Sequence, residues 1–471
     1  MTDRFDFAVI GSGPGGQKAA VCAAKAGRRV ALIERDRLLG GACVHHGTIP
    51  SKTLRENALR VEQLRRTARL LAAAPREDLE LSELLGRLEE VVSHYSRTVE
   101  DQLRRNRITC IHGRARFVSD RELEVYAPDG SRRRLEAGHV VVAAGSRPRC
   151  PDGIPVDHEH VLDADSILSL AYLPRSLAVL GGGVIACEFA SIFACLGVEV
   201  TVVDRGPRPL GFLDVELVDG FQRAFEAAGG RVLSQRRLAD AGFDGVSRVR
   251  LALEGGEAIE AEKVFVALGR TGCLDGLGLD AAGLAPGPRG TLEVDEHGRT
   301  AVPHIYAVGD VAGPPALATV AMEQGRCAVR HALGLGASSV AGIVPTGIYT
   351  IPEMASVGMT EAEAVASCGG ARVGRAGFEE VARVQISDAG PGLLKLVADP
   401  EGERILGVHV LGQGATDLVH VGQMAILAGA RVDDIVENVF NFPTLAETYR
   451  IAALDLLNHL RDEREKPPAD A

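Results

Sequence analysis

The chain has 471 residues, more than one hydrophobic core normally serves, so we expect two or three domains. Its net charge of −11 and the absence of a long basic stretch argue against a nucleic-acid-binding protein. Nine cysteines are scattered singly, with no Cys-x-x-Cys pair, which predicts neither a metal site nor a disulfide framework. With no apolar run of 18 residues and no signal-peptide pattern, we expect no membrane partner and a reducing, cytoplasmic location.

The first predicted element is a short apolar strand over residues 7–10, followed by a glycine-rich turn and an alanine-rich helix. In the turn, Gly11, Gly13 and Gly16 have the spacing of a dinucleotide-binding βαβ unit. Such glycines allow a tight turn, close approach of a pyrophosphate, and packing of helix on strand. The second strand ends at Glu34, where an acid can accept hydrogen bonds from a ribose. The pattern predicts a nucleotide-binding unit.

A second copy of this pattern begins with the apolar strand over residues 177–180. Gly181, Gly183 and Ala186 again lie between a short apolar strand and a helix, and the following strand ends at Asp204. In both copies the acid comes 23 positions after the first glycine. Two βαβ units with one spacing predict two nucleotide-binding domains in tandem.

The acid of the second copy bears on which nucleotide it binds. Asp204 favours the free 2′-hydroxyl of NAD(H) and would repel the 2′-phosphate of NADP(H). Arg205 follows directly and Arg208 lies close by, so a partner for a phosphate is available. A solvated loop is an equally good interpretation of these two arginines. Binding of NAD(H) is therefore predicted, and binding of NADP(H) is permitted.

Each unit closes on a further strand, and we interpret the glycines that follow, Gly145 and Gly269, as part of the nucleotide sites. A buried apolar stretch at 305–310 indicates that the first domain resumes after the second, and alternating strands beyond residue 341 indicate a third, α+β domain. We therefore predict an α/β fold with two Rossmann-like dinucleotide-binding domains and a C-terminal α+β domain. The predicted boundaries are 1–150 with 271–340 for the first domain, 151–270 for the second and 341–471 for the third.

Residues 40–52 read Gly-Gly-Ala-Cys-Val-His-His-Gly-Thr-Ile-Pro-Ser-Lys. This stretch, including Gly41 and Lys52, resembles the active-site segment of the flavoprotein disulfide reductases, G-G-x-C-x4-C-x3-K, whose two cysteines form a redox disulfide. Cys43 is retained, but Thr48 stands at the second cysteine position. A hydroxyl cannot form a disulfide or carry electrons, so this pair is absent. We interpret Cys43 mainly as a packed residue lining the cofactor cleft.

A second departure from the family also affects the reactions of the disulfide and its thiols. The family has a His-Pro-Thr-x-x-Glu element whose histidine serves the thiols as acid and base. Here the element is Phe442-Pro-Thr-Leu-Ala-Glu447, and phenylalanine cannot transfer a proton. Both losses point to a protein without thiol chemistry.

The residues that the family places around its flavin are all present in this chain. The resemblance implies FAD in the first domain, with Asp310 on the ribitol and Lys52 near flavin N5, paired with Glu188. It implies NAD(P) in the second domain and a homodimer formed through the third. A helix beginning near Leu317 would direct its N-terminus toward the flavin.

Three strings, residues 47–55, 345–353 and 440–450, resemble a group within this family that also keeps one cysteine and replaces the histidine by an aromatic residue. The resemblance implies ping-pong transfer of hydride, in which NADPH reduces FAD, leaves, and NAD⁺ takes the hydride. Three alternatives stay open at this point. They are an NAD(P)H:quinone or dye reductase with Thr48 and Phe442 lining its acceptor cleft, a disulfide or metal reductase using Cys43 with another thiol, and a flavoprotein sensor without enzymatic activity.

Overall fold

The computed structural model describes residues 2–70, 81–336 and 342–465. Its strands, in chain order, are β1 (Asp3–Ile10), β2 (Val30–Glu34), β3 (Thr109–His112), β4 (Arg114–Phe117), β5 (Glu122–Tyr126), β6 (Arg132–Val142), β7 (Ser146–Pro148), β8 (Val161–Leu162), β9 (Ser176–Leu180), β10 (Glu199–Val203), β11 (Arg231–Leu233), β12 (Leu238–Phe243), β13 (Val249–Leu253), β14 (Ala258–Ala261), β15 (Lys263–Val266), β16 (Arg270–Gly272), β17 (Ile305–Ala307), β18 (Thr346–Ile348), β19 (Met354–Gly358), β20 (Arg372–Gly377), β21 (Leu393–Ala398) and β22 (Ile405–Leu411). Its helices are α1 (Pro14–Lys25), α2 (Gly41–His45), α3 (Thr48–Leu70), α4 (Leu81–Arg105), α5 (Val184–Cys195), α6 (Val215–Ala227), α7 (Ala318–Ala332), α8 (Glu361–Cys368), α9 (Ala382–Ser387), α10 (Ala415–Ala428), α11 (Val432–Glu437) and α12 (Glu447–Glu465).

The first sheet has the strand order β3-β2-β1-β6-β5-β4. Strand β17 pairs with the carboxyl-terminal part of β6, residues 140–142. Strands β3, β2, β1, β6 and β17 pair with one another in parallel, as the apolar runs predicted, and helices α1 and α7 cover them, whereas β5 pairs with β6 antiparallel. Strand β17 brings the chain back to this sheet late in the sequence, beside β6, and the predicted domain boundaries stay a prediction. Strand β6 ends at Val142, so Ala143 to Gly145 leave the sheet rather than extend it.

The second sheet is entirely parallel, with the order β11-β10-β9-β15-β8, and a small antiparallel sheet β12-β13-β14 packs beside it. Helix α5 is buried along most of its length because residues on nearly all its faces are apolar. Strand β15 ends at Val266, three residues before the predicted glycine. Both sheets therefore present short irregular segments at their carboxyl ends, where ligands bind in open α/β sheets.

The third unit is an antiparallel sheet with the order β18-β19-β22-β21-β20, covered by α10 and α12. The helix predicted over 422–430 begins earlier, at Ala415, and ends at Ala428, where Gly429 takes the left-handed conformation at φ 67°. The helical excursion predicted over 53–105 is present as α3 and α4, and residues 71–80 lie outside the described part.

A buried lysine fixes the second unit to the third. Lys395 on β21 has no exposed side-chain surface, and its ammonium lies 2.9 Å from Asp214 and 2.7 Å from both Glu216 and Glu361. A hydrogen bond from Arg375, together with Lys395, lowers the pKa of Glu216 to about 2. A buried cation with several carboxylate partners is stable only in one arrangement, so this cluster sets how α6 sits on the C-terminal sheet.

Candidate functional site

A cavity of about 940 Å³ lies at the carboxyl ends of the first parallel strands, walled by α3, α5, α7 and the third unit. Its volume is in the range of pockets that bind cofactors and other small molecules. The structure brings nine of the predicted site residues to its wall. They are Gly11, Gly13, Glu34, Gly41, Cys43, Lys52, Gly145, Glu188 and Asp310.

The first glycine turn forms one end of this cavity. Gly11 has φ +102°, and a Cβ there would lie 2.3 Å from the carbonyl oxygen of Ala143, so only glycine fits. Gly16 lies behind the turn, against the Gly11 carbonyl, and supports packing rather than the cavity wall. Gly13 caps α1 without any side-chain hydrogen bond, and nothing lies within 4 Å of where its Cβ would be. The helix N-terminus is therefore open to an anion such as a pyrophosphate.

Glu34 holds this turn together. Its Oε2 accepts hydrogen bonds from the backbone N–H of Ser12 at 2.8 Å and from the Ser12 hydroxyl at 2.6 Å. Its Oε1 accepts from the N–H of Asp36 at 3.0 Å. The Ser12 hydroxyl in turn accepts from the N–H of Gly40, which leads into the segment that carries Cys43. The sequence predicted the acid but not its serine partner, because serine in a glycine turn has no distinctive pattern.

Lys52 and Glu188 come together across two helices that are far apart in sequence. Lys52, near the start of α3, places its Nζ 2.7 Å from Oε2 of Glu188 on α5. The lysine side chain is 25% exposed and the glutamate side chain 6%. Pairing and hydrogen bonding make so buried a carboxylate tolerable, and the ammonium remains open to the cavity. The geometry thus places a fixed positive charge on the cavity wall.

Cys43 stands beside Thr48 in the same wall. Burial raises the pKa of the Cys43 thiol, while the Thr48 hydrogen bond and the Lys52 charge lower it less. A thiol with a raised pKa is a poor nucleophile at neutral pH. Phe442 lies away from this cavity and is 69% exposed. The expected cleft lined by both Thr48 and Phe442 is therefore not formed within one chain.

Asp310 was predicted from the sequence, but the polar side chains that surround it, Ser146 and Arg270, were not. It accepts a hydrogen bond from the hydroxyl of Ser146, which accepts from Nε of Arg270 at 2.7 Å. Nearby, Asp165 lines the cavity, and its buried Oδ1 has no hydrogen-bond partner among the described residues. Burial raises the pKa of Asp165. A buried polar atom without a partner indicates a site where a ligand group supplies the hydrogen bond.

Helix α7 directs its N-terminus into the same cavity. Leu317 is its N-cap and provides no side-chain hydrogen bond, and Leu317, Ala318 and Thr319 line the cavity. The helix begins where the sequence predicted it. Its free N–H groups favour negative charge at this end of the cavity.

The second glycine turn reaches the cavity only through its helix. Gly183 caps α5, and the next two residues, Val184 and Ile185, line the cavity. Gly181, Gly183, Ala186, Asp204 and Gly269 lie off this wall. Ala186 is buried, and the Asp204 carboxylate stands beside the backbone of Gly182, where an added Cβ would lie 2.5 Å from its Oδ2.

A separate basic groove of about 570 Å³ lies next to Arg205, the residue after Asp204. Arg205 lines it together with Gln235, Arg236 and Arg237, which follow strand β11 next to β10, and Glu254 and Glu257 line its other side, so three arginines face two carboxylates. Arg236 is partly neutralised by Glu257 at 3.3 Å, whereas no ion pair joins Arg205 or Arg237 to another described residue. Arg208, the other predicted cation, is paired with Asp219 at 3.4 Å and lies outside this groove. Arg236 and Arg237 were not predicted as site residues, because they come near the end of β10 only through the pairing of β11 with β10.

These residues fit FAD and a nicotinamide nucleotide. An uncapped helix N-terminus behind an open glycine, and a second βαβ unit whose helix α5 reaches the same cavity, are typical of a protein that binds two dinucleotides. Residues 5–325 match the family described as pyridine nucleotide-disulphide oxidoreductase, and residues 344–453 match its dimerisation domain. The chain belongs to this family, and its cofactor is FAD.

Curated relatives extend over nearly the full chain. A protein of Mycobacterium bovis (strain BCG / Pasteur 1173P2) named soluble pyridine nucleotide transhydrogenase is 43% identical, covering 97% of this chain and 98% of the relative. A Pseudomonas putida (strain W619) protein of the same name is 40% identical, covering 97% of this chain and 99% of the relative.

Solved structures show the same architecture. LpdA from Mycobacterium tuberculosis superimposes with a TM-score of 0.89 at 29% identity, covering 96% of this chain and 99% of LpdA. The HOCl-induced flavoprotein disulfide reductase RclA from Escherichia coli gives a TM-score of 0.86 at 26% identity, covering 95% of this chain and 99% of RclA. Across the described residues, no helix has the length and apolarity to cross a bilayer, and no cluster of three His, Cys, Asp or Glu residues could hold a metal ion.

Proposed function

We propose that the protein is a flavoprotein transhydrogenase, which moves hydride from NADPH to NAD⁺ through FAD without a redox disulfide. The observation that carries this proposal is the Lys52–Glu188 pair in the wall of one cavity, beside a Cys43 whose partner position is Thr48. Both members of the Lys52–Glu188 ion pair are present, whereas only one of the two cysteines of the family's redox pair is present. The names of the 40–43% identical relatives support the same reaction.

Each residue has a proposed part in this reaction. When bound, FAD accepts a hydride from one nicotinamide and returns it to another. The open N-terminus of α1 at Gly13 would hold the pyrophosphate, and Asp310 would bind the ribitol. Lys52, held by Glu188, places a positive charge where negative charge develops. Partly buried apolar side chains in the wall, such as Val184 and Ile185, would exclude water from the reacting groups.

The second unit would bind NAD(H) and NADP(H) in turn. We assign the ribose to Asp204 and the 2′-phosphate to the basic groove at Arg205, because Arg205 and Arg237 are unpaired among the described residues. Gly145, Gly181, Gly183, Ala186 and Gly269 are proposed as nucleotide-binding or supporting positions. The proposed domains remain 1–150 with 271–340 for FAD, 151–270 for NAD(P) and 341–471 for dimerisation.

We propose a cytoplasmic homodimer formed through the C-terminal domain. Large apolar side chains are exposed on this domain, among them Met424 at 63%, Val439 at 88% and Phe442 at 69%. Exposed apolar groups of this size are typical of protein–protein interfaces. Their burial in a dimer would also explain why Phe442 lies outside the cavity of its own chain.

The test is a two-step anaerobic titration. Purified protein is mixed with NADPH, and the flavin absorbance near its visible maximum is expected to bleach. NAD⁺ is then added, and the absorbance is expected to return as NADH forms. Bleaching without reoxidation by NAD⁺, but with reoxidation by a quinone, would identify a quinone reductase instead.

A further inference from the structure

Besides Glu188 and the hydroxyl of Ser51 at 3.4 Å, the ammonium of Lys52 contacts an aromatic ring. The centroid of the Tyr349 ring lies 4.9 Å from Lys52 Nζ. A cation within about 6 Å of an aromatic centroid is attracted by the electron-rich face of the ring, and the attraction grows as water is excluded. Because the lysine side chain is only 25% exposed, this contact is partly shielded from solvent.

Tyr349 also fixes the other member of the pair. Its backbone N–H donates to Oε1 of Glu188 at 2.9 Å, while Oε2 of the same carboxylate accepts from Lys52 at 2.7 Å. The two carboxylate oxygens therefore have different partners, and the plane of the carboxylate is set. One residue, between β18 and β19, contacts both charges of the pair.

The backbone that follows Tyr349 is anchored to the same two helices. The N–H of Ile351 donates to the hydroxyl of Ser191 on α5 at 3.1 Å. On α3, Nε of Arg55 donates to the carbonyl of Thr350 at 3.0 Å. These bonds connect the third unit to the helix of Lys52 and to the helix of Glu188, so the backbone that carries the ring is held next to the ion pair.

We infer that Tyr349 is a positioning residue that holds the Lys52 ammonium at a fixed place in the cavity wall. This inference rests on the proposed function, in which that charge faces the flavin. It also gives the C-terminal unit a part in the flavin site of its own chain, in addition to dimerisation.

The test compares rings of similar shape and different charge distribution at position 349. Tyr349→Leu is expected to slow the reduction of FAD by NADPH about 10-fold with little change in KM, and Tyr349→Phe is expected to recover that rate. Pentafluorophenylalanine at this position keeps the shape but reverses the charge of the ring face, so it should behave like leucine. The midpoint potential of the bound flavin should fall in the same two variants, since a misplaced ammonium stabilises the added negative charge less.

A matched control exists in the second unit. The ring of Tyr172 lies 5.2 Å from Nζ of Lys263, away from the cavity, so Tyr172→Leu removes a similar contact and should leave rate and potential unchanged. If the fluorinated ring behaves like phenylalanine, or Tyr349→Leu like Tyr172→Leu, the inference is wrong. Should Tyr349→Leu fail to fold, the nearly isosteric fluorinated variant carries the test. Failure of NAD⁺ to reoxidise the parent protein would reject the proposed function alone, because the potentials do not depend on NAD⁺.

Discussion

The two dinucleotide units share one glycine spacing and one strand arrangement, yet they use their acids differently. The Glu34 carboxylate is buried and accepts three hydrogen bonds from its own turn and the segment after it. Within the described residues, no hydrogen bond ties the Asp204 side chain in this way, and Arg205, which follows it directly, lines a groove with Arg236 and Arg237. The first unit borders a cavity of about 940 Å³ and the second a groove of about 570 Å³. A fixed turn suits a resident cofactor, whereas an open one suits nucleotides that come and go.

The largest expected effect comes from placing the same side chain at the cap of each nucleotide helix. Gly13 and Gly183 have ordinary φ values of −65° and −81°, and a Cβ at either meets nothing within 4 Å. Valine should therefore disturb the ligand rather than the fold. Gly13→Val is expected to fold but to retain less than about a tenth of its FAD, since each 1.4 kcal/mol lost is tenfold in affinity. Absorbance at the flavin maximum and a thermal melt measure this.

Gly183→Val provides the counterpart. It should keep its FAD, while the KM for both NADH and NADPH rises about 100-fold through loss of contacts to the pyrophosphate. The comparison between the two units fails if Gly183→Val loses FAD, or if Gly13→Val keeps it.

A smaller effect is expected in the basic groove of the second unit. Arg237→Ala should raise the KM for NADPH about 10-fold and leave that for NADH unchanged, because a charged contact to the 2′-phosphate is lost. Steady-state rates with each nucleotide measure the difference. Arg208→Ala is the control, since Arg208 is paired with Asp219 outside the groove. Equal effects on NADPH from both variants would remove the groove from nucleotide recognition.

The smallest effect concerns the one cysteine retained from the redox pair. Burial raises the pKa of Cys43, so less of it is thiolate at neutral pH, and the fraction grows as the pH rises toward that pKa. Alkylation by iodoacetamide at pH 7.5 should therefore be at least about 10-fold slower at Cys43 than at the exposed Cys368. Peptide mass spectrometry follows both sites in one sample. Faster modification of Cys43 would indicate an activated thiol and would reopen thiol chemistry.

Features carried by short segments were predictable from the sequence. The glycine turns, the acids at the carboxyl ends of β2 and β10 and the start of α7 follow from local apolar runs and glycine spacing, and the structure has them there. The pairing of Lys52 with Glu188 required the family resemblance, because 136 positions separate them. Ser12, Tyr349 and Arg237 escaped prediction. Each gains its place from a fold-level contact, and none carries a local pattern that distinguishes it from an ordinary serine, tyrosine or arginine.

The composition of the cavity wall has a consequence for biosynthesis. The wall includes Gly11 from the first strand turn, Asp310 after β17, and Tyr349 and Thr416 from the C-terminal sheet and helix. A chain still emerging from the ribosome lacks the last of these until most of its length has been translated. The parallel strands β1, β2 and β3 can pair early, but the pocket is finished only after Thr416 has been added and has folded into place. Cofactor capture should therefore follow the synthesis of the C-terminal sheet and its helix.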